Sequence, residues 1–231
     1  MSAEFDSYAS EYSALLKDPI RDWFAPDAEF FHWRKWLLLK NFLLHNGASP
    51  GHLRWLDVGC GKGELLRLGK SFFADACGCD PSSEMLKGCG DLEIKHQANN
   101  GELPYADQSF DLITAVCVYH HMNQGERQFL TKEAFRVLRP GGSFGIFEHN
   151  PWNPLTRRIV KRAPVDANAV LLTPSETRFV MVRAGFEPIS IQYFLYFPAK
   201  LYSLVGWLER VLARVPMGGQ YAAFARRHSR L

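Results

Sequence analysis

The chain has 231 residues, of which 47% are hydrophobic and 22% charged, and its formal net charge is +3. This is the composition of an ordinary globular protein with enough chain for a full core in one domain, which excludes a disordered or fibrous protein. The mild positive excess does not indicate a clustered basic face, so the sequence argues against nucleic acid as a partner.

Signals for export, membrane insertion and metal binding are not expected in this sequence. The amino terminus carries Glu4 and Asp6 without an apolar run, which is unlike a secretion signal. No stretch approaches the ~18 uninterrupted apolar residues of a membrane span. The five cysteines form no Cys-x-x-Cys pair and no zinc spacing with histidine. They are therefore predicted to be small core residues in a reduced, cytoplasmic setting.

The first predicted elements are helices that precede the sheet. Tyr8 and Tyr12 are four residues apart, which places both on one face of a helix. A second, aromatic-rich segment covers 30–44 and ends at Asn46 and Gly47. Its apolar residues recur at helical spacing, which favours a helix packed on the sheet.

A glycine-rich turn follows the first predicted strand, 54–58. Its three glycines alternate with other residues, at Gly59, Gly61 and Gly63. This spacing lets the backbone bend sharply and approach a ligand, while the following helix start offers free N–H groups. A dinucleotide fingerprint would need a glycine at position 64, where the chain has Glu64. The acids on both sides, Asp57 and Glu64, disfavour a pyrophosphate and favour a ligand with an ammonium group.

A further acid ends the second predicted strand, 75–80. The carboxylate of Asp80 would lie at the carboxyl end of that strand, where it suits a ribose diol. Apolar stretches alternate with helical patterns up to about residue 150, which indicates βαβ units and a parallel sheet. The other predicted strands are 92–97, 111–117 and 143–148, with helices near 62–73, 82–88 and 125–138.

Together these motifs resemble the class I S-adenosylmethionine-dependent methyltransferases, in the group with small-molecule acceptors. The glycine turn and Asp80 are two of four ordered motifs. The others are 103–113, which is similar to the segment leading into the family's fourth strand, and 138–144, which is similar to its turn into the fifth. The resemblance implies an α/β fold with a doubly wound, mostly parallel seven-stranded sheet. It also implies S-adenosylmethionine as cofactor and S-adenosylhomocysteine as product.

The resemblance further implies which residues hold the cofactor. Met85 matches an apolar residue that packs on adenine, and Asn99 matches a position where the family commonly has an Asp that receives the adenine amino group. The carbonyl of Asn99 can still accept one such hydrogen bond. A tyrosine of the amino-terminal helix would fold over the cofactor. The predicted set is Tyr8, Tyr12, Asp57, Gly59, Cys60, Gly61, Gly63, Asp80, Pro81, Met85, Asn99, Asn100, Val116 and His121.

The pattern changes after residue 150. Pro151 and Pro154 fix backbone angles and remove donors, which predicts a shaped loop. The next segment, 156–162, holds four cations that would recruit an anionic acceptor or a membrane surface, although solvated surface is the plainer interpretation. A helix is predicted from Thr173, its cap, to Gly185.

The last two strands are predicted at 186–193 and 220–226, paired antiparallel by the family resemblance. Between them lies a helical insertion at about 195–217. Its apolar stripe indicates core, or alternatively an acceptor lid or a docking surface, since Trp207 and its neighbours suit a membrane interface. The stripe consists of Leu201, Leu204, Val205, Leu208 and Leu212. The predicted divisions are a helical extension at 1–50, the cofactor core at 51–150 and the carboxyl-terminal half of the same domain at 151–231.

Two histidines are candidates for catalysis. Methyl transfer needs an aligned acceptor, and a hydroxyl acceptor gains from a nearby base. His120 and His149 follow the fourth and fifth predicted strands, and imidazole titrates near neutrality. His121 matches a histidine that anchors a loop or helix start in the family. The predicted acceptor contacts are Tyr119, Glu148, Arg157 and Arg158.

We therefore expect a methyltransferase that acts on oxygen in a small or lipid-like acceptor, with an anionic acceptor suggested by the cations. A cytoplasmic protein with optional peripheral membrane contact fits these features.

Two other classes of protein stay open. An NAD-dependent oxidoreductase would share the sheet and Asp80, but the glycine spacing opposes it. A non-catalytic S-adenosylmethionine-binding partner protein would use the same cradle without turnover.

Overall fold

Seven strands form one sheet in the computed structural model, which describes residues 2–98 and 101–228. The strands are β1 (Arg54–Val58), β2 (Asp75–Asp80), β3 (Glu93–His96), β4 (Phe110–Val116), β5 (Leu138–His149), β6 (Phe186–Phe194) and β7 (Gln220–Arg227). Their spatial order is β3-β2-β1-β4-β5-β7-β6. Strands β1 to β5 pair in parallel, and β7 runs antiparallel between β5 and β6. The predicted fold class is confirmed.

Helices precede the sheet and connect its strands. Those before the sheet are α1 (Ser2–Tyr8), α2 (Tyr12–Leu15), α3 (Pro19–Phe24) and α4 (Ala28–His45). Those that follow are α5 (Glu64–Gly69), α6 (Ser83–Leu86), α7 (Gln124–Val137), α8 (Pro154–Arg162), α9 (Pro174–Arg183), α10 (Ala199–Val205) and α11 (Leu208–Leu212). None of the helices in the described part of the chain has the length and apolar character needed to cross a bilayer.

The central strand β1 explains why the glycine turn sits where it does. It pairs with β2 on one side and β4 on the other, so Asp57 lies between Gly78 and Thr114. Trp55 and Leu56 are fully buried, as expected for a parallel strand covered on both faces. The carboxyl ends of β1, β2, β4 and β5 therefore open at one edge of the sheet, which is where ligands bind in such folds.

The cap of α9 was correctly predicted from the sequence. Thr173 accepts a hydrogen bond from the backbone N–H of Glu176 at 3.2 Å, and the Glu176 carboxylate accepts one from the backbone N–H of Thr173 at 2.7 Å. This reciprocal pair satisfies two of the free donors at the helix start. It fixes the position of α9 beside β6 and β7.

The structure corrects the prediction for the amino-terminal tyrosines. Helix α1 ends at Tyr8 and α2 begins at Tyr12, with a turn at 9–11 between them. The two tyrosines therefore do not share one helix face. The chain therefore passes over the edge of the sheet as two short helices joined by a turn, not as one long helix.

The helical insertion also differs from its prediction. It folds as two short helices, α10 and α11, and Leu201 and Leu204 are 50% and 72% exposed. The other three residues of the stripe, Val205, Leu208 and Leu212, are half-buried, so none of the stripe belongs to the fully buried core. In addition, β5 begins at Leu138, so the predicted turn at 140–142 lies within the range of a strand.

Candidate active site

A cavity of about 340 Å³ lies at the carboxyl edge of the sheet, under helices α1 to α4. Its roof is apolar, with side chains such as Leu16, Ile20, Phe24 and Phe31. Its floor comes from the loops that follow β1, β2, β4 and β5. The predicted residues that line it are Tyr12, Asp57, Gly59, Cys60, Gly61, Asp80, Pro81, Met85, Val116, His120, His121 and His149.

The glycine turn needs glycine at two of its positions for a steric reason. Gly59 has φ of +68°, and a Cβ there would lie 2.4 Å from Cγ2 of Val118. Gly63 has φ of +78°, and a Cβ there would lie 2.2 Å from Cδ1 of Leu92. Both positions combine a left-handed backbone with a close neighbour, so a larger residue would displace the turn.

Asp57, the penultimate residue of β1, is placed to bind a cationic ligand group. Asp57 is 2% exposed, and its Oδ1 accepts a hydrogen bond from Oγ1 of Thr114 at 2.6 Å. Burial raises the pKa of this carboxyl to about 7. An ammonium group placed beside it in the cavity would favour the ionised form.

A buried lysine faces the same part of the cavity. Lys35, in the middle of α4, is 5% exposed and lines the cavity. Its ammonium group makes no hydrogen bond or ion pair with residues 2–98 or 101–228. Its charge opposes the rise in the pKa of Asp57 that burial causes, and it lowers the pKa of Cys117 against the effect of burial. A buried cation without a partner is costly, so this side chain is suited to an anionic ligand group. The cavity is thus lined by both an acidic and a basic buried side chain.

Asp80 holds the turn and remains open to the cavity. Its Oδ2 accepts a hydrogen bond from the backbone N–H of Gly61 and its Oδ1 one from that of Ser82, both at 2.8 Å. Burial raises the pKa of this carboxyl. Each oxygen retains a lone pair for a hydroxyl donor. Met85, 3% exposed, lies on α6 one turn after Ser82 and lines the cavity beside it.

Two polar contacts, at Asp6 and Asp18, hold the amino-terminal part of the roof to the rest of the protein. Near the glycine turn, Oδ1 of Asp6 accepts hydrogen bonds from the Ser82 hydroxyl at 2.6 Å and the Glu84 backbone N–H at 3.2 Å. Near α8, Oδ2 of Asp18 lies 3.4 Å from the guanidinium of Arg162. Tyr12 lines the cavity between these points, while Tyr8 does not.

His120 is locked between two carboxylates. Its Nδ1 lies 2.6 Å from Oε2 of Glu148 and its Nε2 lies 3.4 Å from Oδ1 of Asp166, which belongs to a short 3-10 turn at 164–166. Burial opposes the charged ring, but the charge of Glu148 and the hydrogen bonds to both acids raise the pKa of His120 to about 10. His120 therefore carries its proton at neutral pH and is not placed to act as a free base.

The other two histidines retain different roles. Burial and the charge of His120 lower the pKa of His121 to about 4, and its Nε2 lies 3.6 Å from Asp166. His149 is half-buried and lines the cavity, with its Nδ1 at 3.3 Å from the side-chain amide of Gln220. His149 is thus the histidine at the end of β5 that faces the cavity, and its Nε2 has no hydrogen bond to an oxygen or nitrogen atom of residues 2–98 or 101–228.

Several predicted residues do not reach the cavity. Tyr119 is fully buried, with its hydroxyl 2.8 Å from Oγ1 of Thr131, and Glu148 is fully buried under His120. The structure therefore contradicts both as acceptor contacts, because they support the site from behind. Arg157 and Arg158 are exposed on α8 and do not line the cavity. Gly63 is buried beneath the turn and does not line the cavity either. Asn99 and Asn100 lie outside the described residues, so their predicted contacts stay predictions.

The sequence analysis missed three residues that shape the site. Lys35 was hidden within an apolar helical segment, Asp166 within a loop and Cys117 directly after β4. Cys117 has φ of +56°, which is rare for a residue with a side chain, and it lines the cavity. Although burial opposes the thiolate, the charges of Lys35 and His149 lower the pKa of Cys117. Lys35 stands between Arg34 and Lys40 in the segment 30–44, and the sequence did not distinguish it from these two cations.

Comparison with known families agrees with this geometry. Residues 56–146 match the family model described as a methyltransferase domain. That match begins in β1 and ends in β5, so it covers the glycine turn, Asp80 and the histidines after β4. It does not include helices α1 to α4 or the insertion.

Two curated relatives show different acceptors. The chain is 33% identical over 153 residues to the tRNA (carboxymethyluridine(34)-5-O)-methyltransferase of Arabidopsis thaliana, covering 65% of this chain and 37% of that protein. It is 34% identical over 103 residues to the 27-O-demethylrifamycin SV methyltransferase of Amycolatopsis mediterranei, covering 40% of this chain and 37% of that protein. The chain spans 25 to 37% of the length of the first curated relatives that it matches.

The expectation that nucleic acid is an unlikely partner is wrong. The first four curated relatives carry the names of tRNA methyltransferases. A net charge of +3 was a poor guide because charge averaged over the chain conceals local clusters such as the four cations of α8. A nucleic acid acceptor therefore belongs among the candidates.

Solved structures share the fold over most of the chain. The S-adenosylmethionine-dependent methyltransferase of Thermotoga maritima described as a possible histamine N-methyltransferase has a TM-score of 0.68 at 17% identity, covering 98% of this chain and all of that chain. At this identity the likeness shows the fold.

Proposed function

We propose that this chain, a member of the class I S-adenosylmethionine-dependent methyltransferases, transfers a methyl group from S-adenosylmethionine to a hydroxyl oxygen of a small or lipid-like acceptor. The observation that carries the proposal is one continuous cavity. It joins the glycine turn, Asp57 and Asp80 to an apolar chamber that contains His149. Cofactor and acceptor would thus meet under one roof.

The cofactor would be held through its amino acid and its nucleoside. Asp57 would face the ammonium and Lys35 the carboxylate of the amino acid half, since both buried side chains line the cavity and the charge of Lys35 acts on Asp57. Asp80 would accept hydrogen bonds from the ribose hydroxyls, and Met85 would pack on the adenine. Asn99 remains the proposed partner of the adenine amino group. When bound, S-adenosylmethionine supplies an activated methyl group on a sulfonium.

His149 would act as the base for the acceptor hydroxyl. If the Gln220 amide turns its oxygen toward the ring, Nδ1 of His149 donates to it and Nε2 keeps a lone pair. As the oxygen bonds to the methyl carbon, its proton would pass to Nε2. The buried pair of His120 and Glu148 would fix the backbone on which His149 stands, because Glu148 also accepts from the His149 backbone N–H at 3.3 Å.

The test has a binding arm and a turnover arm. S-adenosylhomocysteine should bind in calorimetry, and NAD should not. The protein should then transfer radiolabelled methyl groups to an organic extract of cells, and His149→Asn should bind the nucleoside normally but lose most of the transfer. Transfer that survives in His149→Asn would contradict the base, and binding with no transfer to any fraction would favour a non-catalytic partner protein.

A nucleoside of tRNA is the second candidate acceptor. The tRNA methyltransferase relatives favour this acceptor, and so do the exposed cations of α8 near the cavity. The same assay with purified tRNA in place of the organic extract would decide between them. Label recovered in a tRNA nucleoside after digestion would replace the small-molecule proposal.

A further inference from the structure

The two helices of the insertion are built with their apolar side outward. Leu204 and Val211 are each 72% exposed, Met217 is 69% exposed and Trp207 is 59% exposed. Surface helices of globular proteins normally turn such residues inward. We call the exposed residues Leu201, Leu204, Trp207, Val211, Val215 and Met217 the apolar face.

Polar contacts on the opposite side hold this orientation. Arg34 of α4 pairs with Glu209 and with the Tyr202 hydroxyl, and the side chains of Arg34 and Glu209 are each 5% exposed. The other oxygen of Glu209 accepts the Tyr196 backbone N–H at 2.8 Å. The acid of α11 is therefore buried while its valine is exposed. This inverted arrangement is a fixed feature of the fold.

The apolar face continues to the mouth of the cavity. The Asn153 side chain donates to the Met217 carbonyl at 2.7 Å, and the Thr156 hydroxyl donates to the Gly219 carbonyl at 2.9 Å, so the start of α8 packs on this segment. Met217 and Leu155 are both exposed and both line the cavity. A surface that covered the apolar face would therefore also cover the cavity mouth.

Exposed cations on and beside α8, α10 and α11 accompany the apolar face, and these helices carry no exposed acid. The six cations are Arg157, Arg158, Lys161, Lys200, Arg210 and Arg214, all exposed and without an ion pair to the described residues. The one carboxylate within 154–162 and 199–214 is Glu209, which is buried against Arg34. Apolar residues accompanied by unpaired cations match an anionic bilayer, which offers hydrocarbon behind a layer of negative headgroups.

We propose that the apolar face and its cations dock the protein on an anionic membrane surface, with the cavity mouth toward the lipid. This inference rests on the proposed function, because a lipid-like acceptor would then enter the cavity from the bilayer. An RNA partner would satisfy the cations, but it would leave Leu204, Val211 and Met217 without an apolar partner. The bilayer accounts for both features.

The test is flotation with vesicles of phosphatidylcholine, with or without phosphatidylglycerol. The protein should float with the anionic vesicles and not with the neutral ones, and added salt should release it. Leu204→Ser with Val211→Ser should abolish flotation. Arg157→Gln, Arg158→Gln and Lys161→Gln should weaken it about fivefold for each cation removed. Trp207 fluorescence should shift to shorter wavelength on anionic vesicles only.

Matched controls use exposed residues of α7 and α9. Phe179→Ser with Val182→Ser removes exposed apolar residues, and Lys132→Gln with Arg178→Gln removes exposed cations. Both controls should float normally. Flotation that is equal in all variants, or absent in the unmodified protein, would overturn the proposal.

Further measurements separate the other outcomes. Loss of tRNA binding in the cation variants, without vesicle binding in the unmodified protein, would assign the surface to RNA. A dimer that disappears in Leu204→Ser would assign it to self-association. Calorimetry with S-adenosylhomocysteine runs beside each assay, so a protein that binds the nucleoside but not vesicles refutes the docking alone.

Discussion

The carboxylate of Asp6 and the hydroxyl of Ser82, 76 residues apart in the chain, form a hydrogen bond of 2.6 Å that joins the roof of the cavity to its floor. This hydrogen bond, with a second from the Glu84 backbone, lowers the pKa of Asp6. Ser82 follows Asp80 closely and caps the helix that carries Met85. The roof is therefore attached beside the place proposed for the nucleoside.

We expect Asp6→Asn to loosen this attachment. S-adenosylhomocysteine should dissociate severalfold faster, because the roof would open more often, while the melting temperature should change little. Stopped-flow displacement measures the rate. Glu11→Gln, an exposed acid of the same region, is the matched control and should dissociate at the normal rate. An unchanged rate in Asp6→Asn would show that the contact does not limit exit.

Lys35 should discriminate between two related nucleosides. Lys35→Met keeps the length and apolar stem of the side chain and removes its charge. It should weaken the binding of S-adenosylhomocysteine by about 30-fold or more, since truncating one partner of a buried ion pair is costly. It should leave 5′-deoxy-5′-methylthioadenosine, which lacks the amino acid half, unaffected. Calorimetry with both ligands checks this, and an equal loss for both would refute the carboxylate contact.

Cofactor binding should release a proton through Asp57. The pKa of the free carboxyl is about 7, and a neighbouring ammonium would lower it. Below pH 7 the protein must therefore lose a proton to bind, so the affinity for S-adenosylhomocysteine should fall as pH falls, by up to about tenfold per pH unit. Above about pH 8 the release should vanish.

Calorimetry in buffers of different ionisation enthalpy counts these protons. Asp57→Asn should bind more weakly and without the release. If the release persists in Asp57→Asn, another group is responsible for it.

The buried pair of His120 and Glu148 should make the free energy of unfolding fall as pH rises above neutrality. The pKa of His120 is about 10 in the folded protein and ~6.5 in an unfolded chain. Its contribution is therefore fully present below pH ~6.5 and is lost as pH rises toward 10. His120→Gln should lower the free energy of unfolding by about 3–5 kcal/mol at neutral pH, because it leaves a buried carboxylate unpaired.

Urea unfolding at several pH values tests this pair. The difference between the unmodified protein and His120→Gln should shrink from pH 7 to pH 10. Lys87→Gln, which removes an exposed ion pair with Glu84, should cost less than about 1 kcal/mol. A constant difference across the pH range would mean that His120 is not charged in the fold.

The sequence predicted the parts of the fold that follow local rules. Strands β1 and β2 were predicted at their observed ends because buried parallel strands are continuous apolar runs. The glycine turn was recognised because Gly59 and Gly63 satisfy a steric need that no other residue meets. Such features depend on a few neighbouring residues.

The missed features depend on contacts between distant segments. Asp166 reaches His120 through the segment that follows β5. No sequence feature near residue 166 indicates this contact. The stripe of the insertion was expected to be core because periodicity indicates one apolar side without saying what that side faces. Arg34 decides the outcome from 175 residues away, by binding Glu209 and turning the leucines outward.

The two fastenings of the roof are separate, one at Asp6 and one at Asp18. Opening of the contact at Asp6 alone would uncover Asp80 and Met85, while the ion pair of Asp18 with Arg162 would still hold the start of α3 against α8.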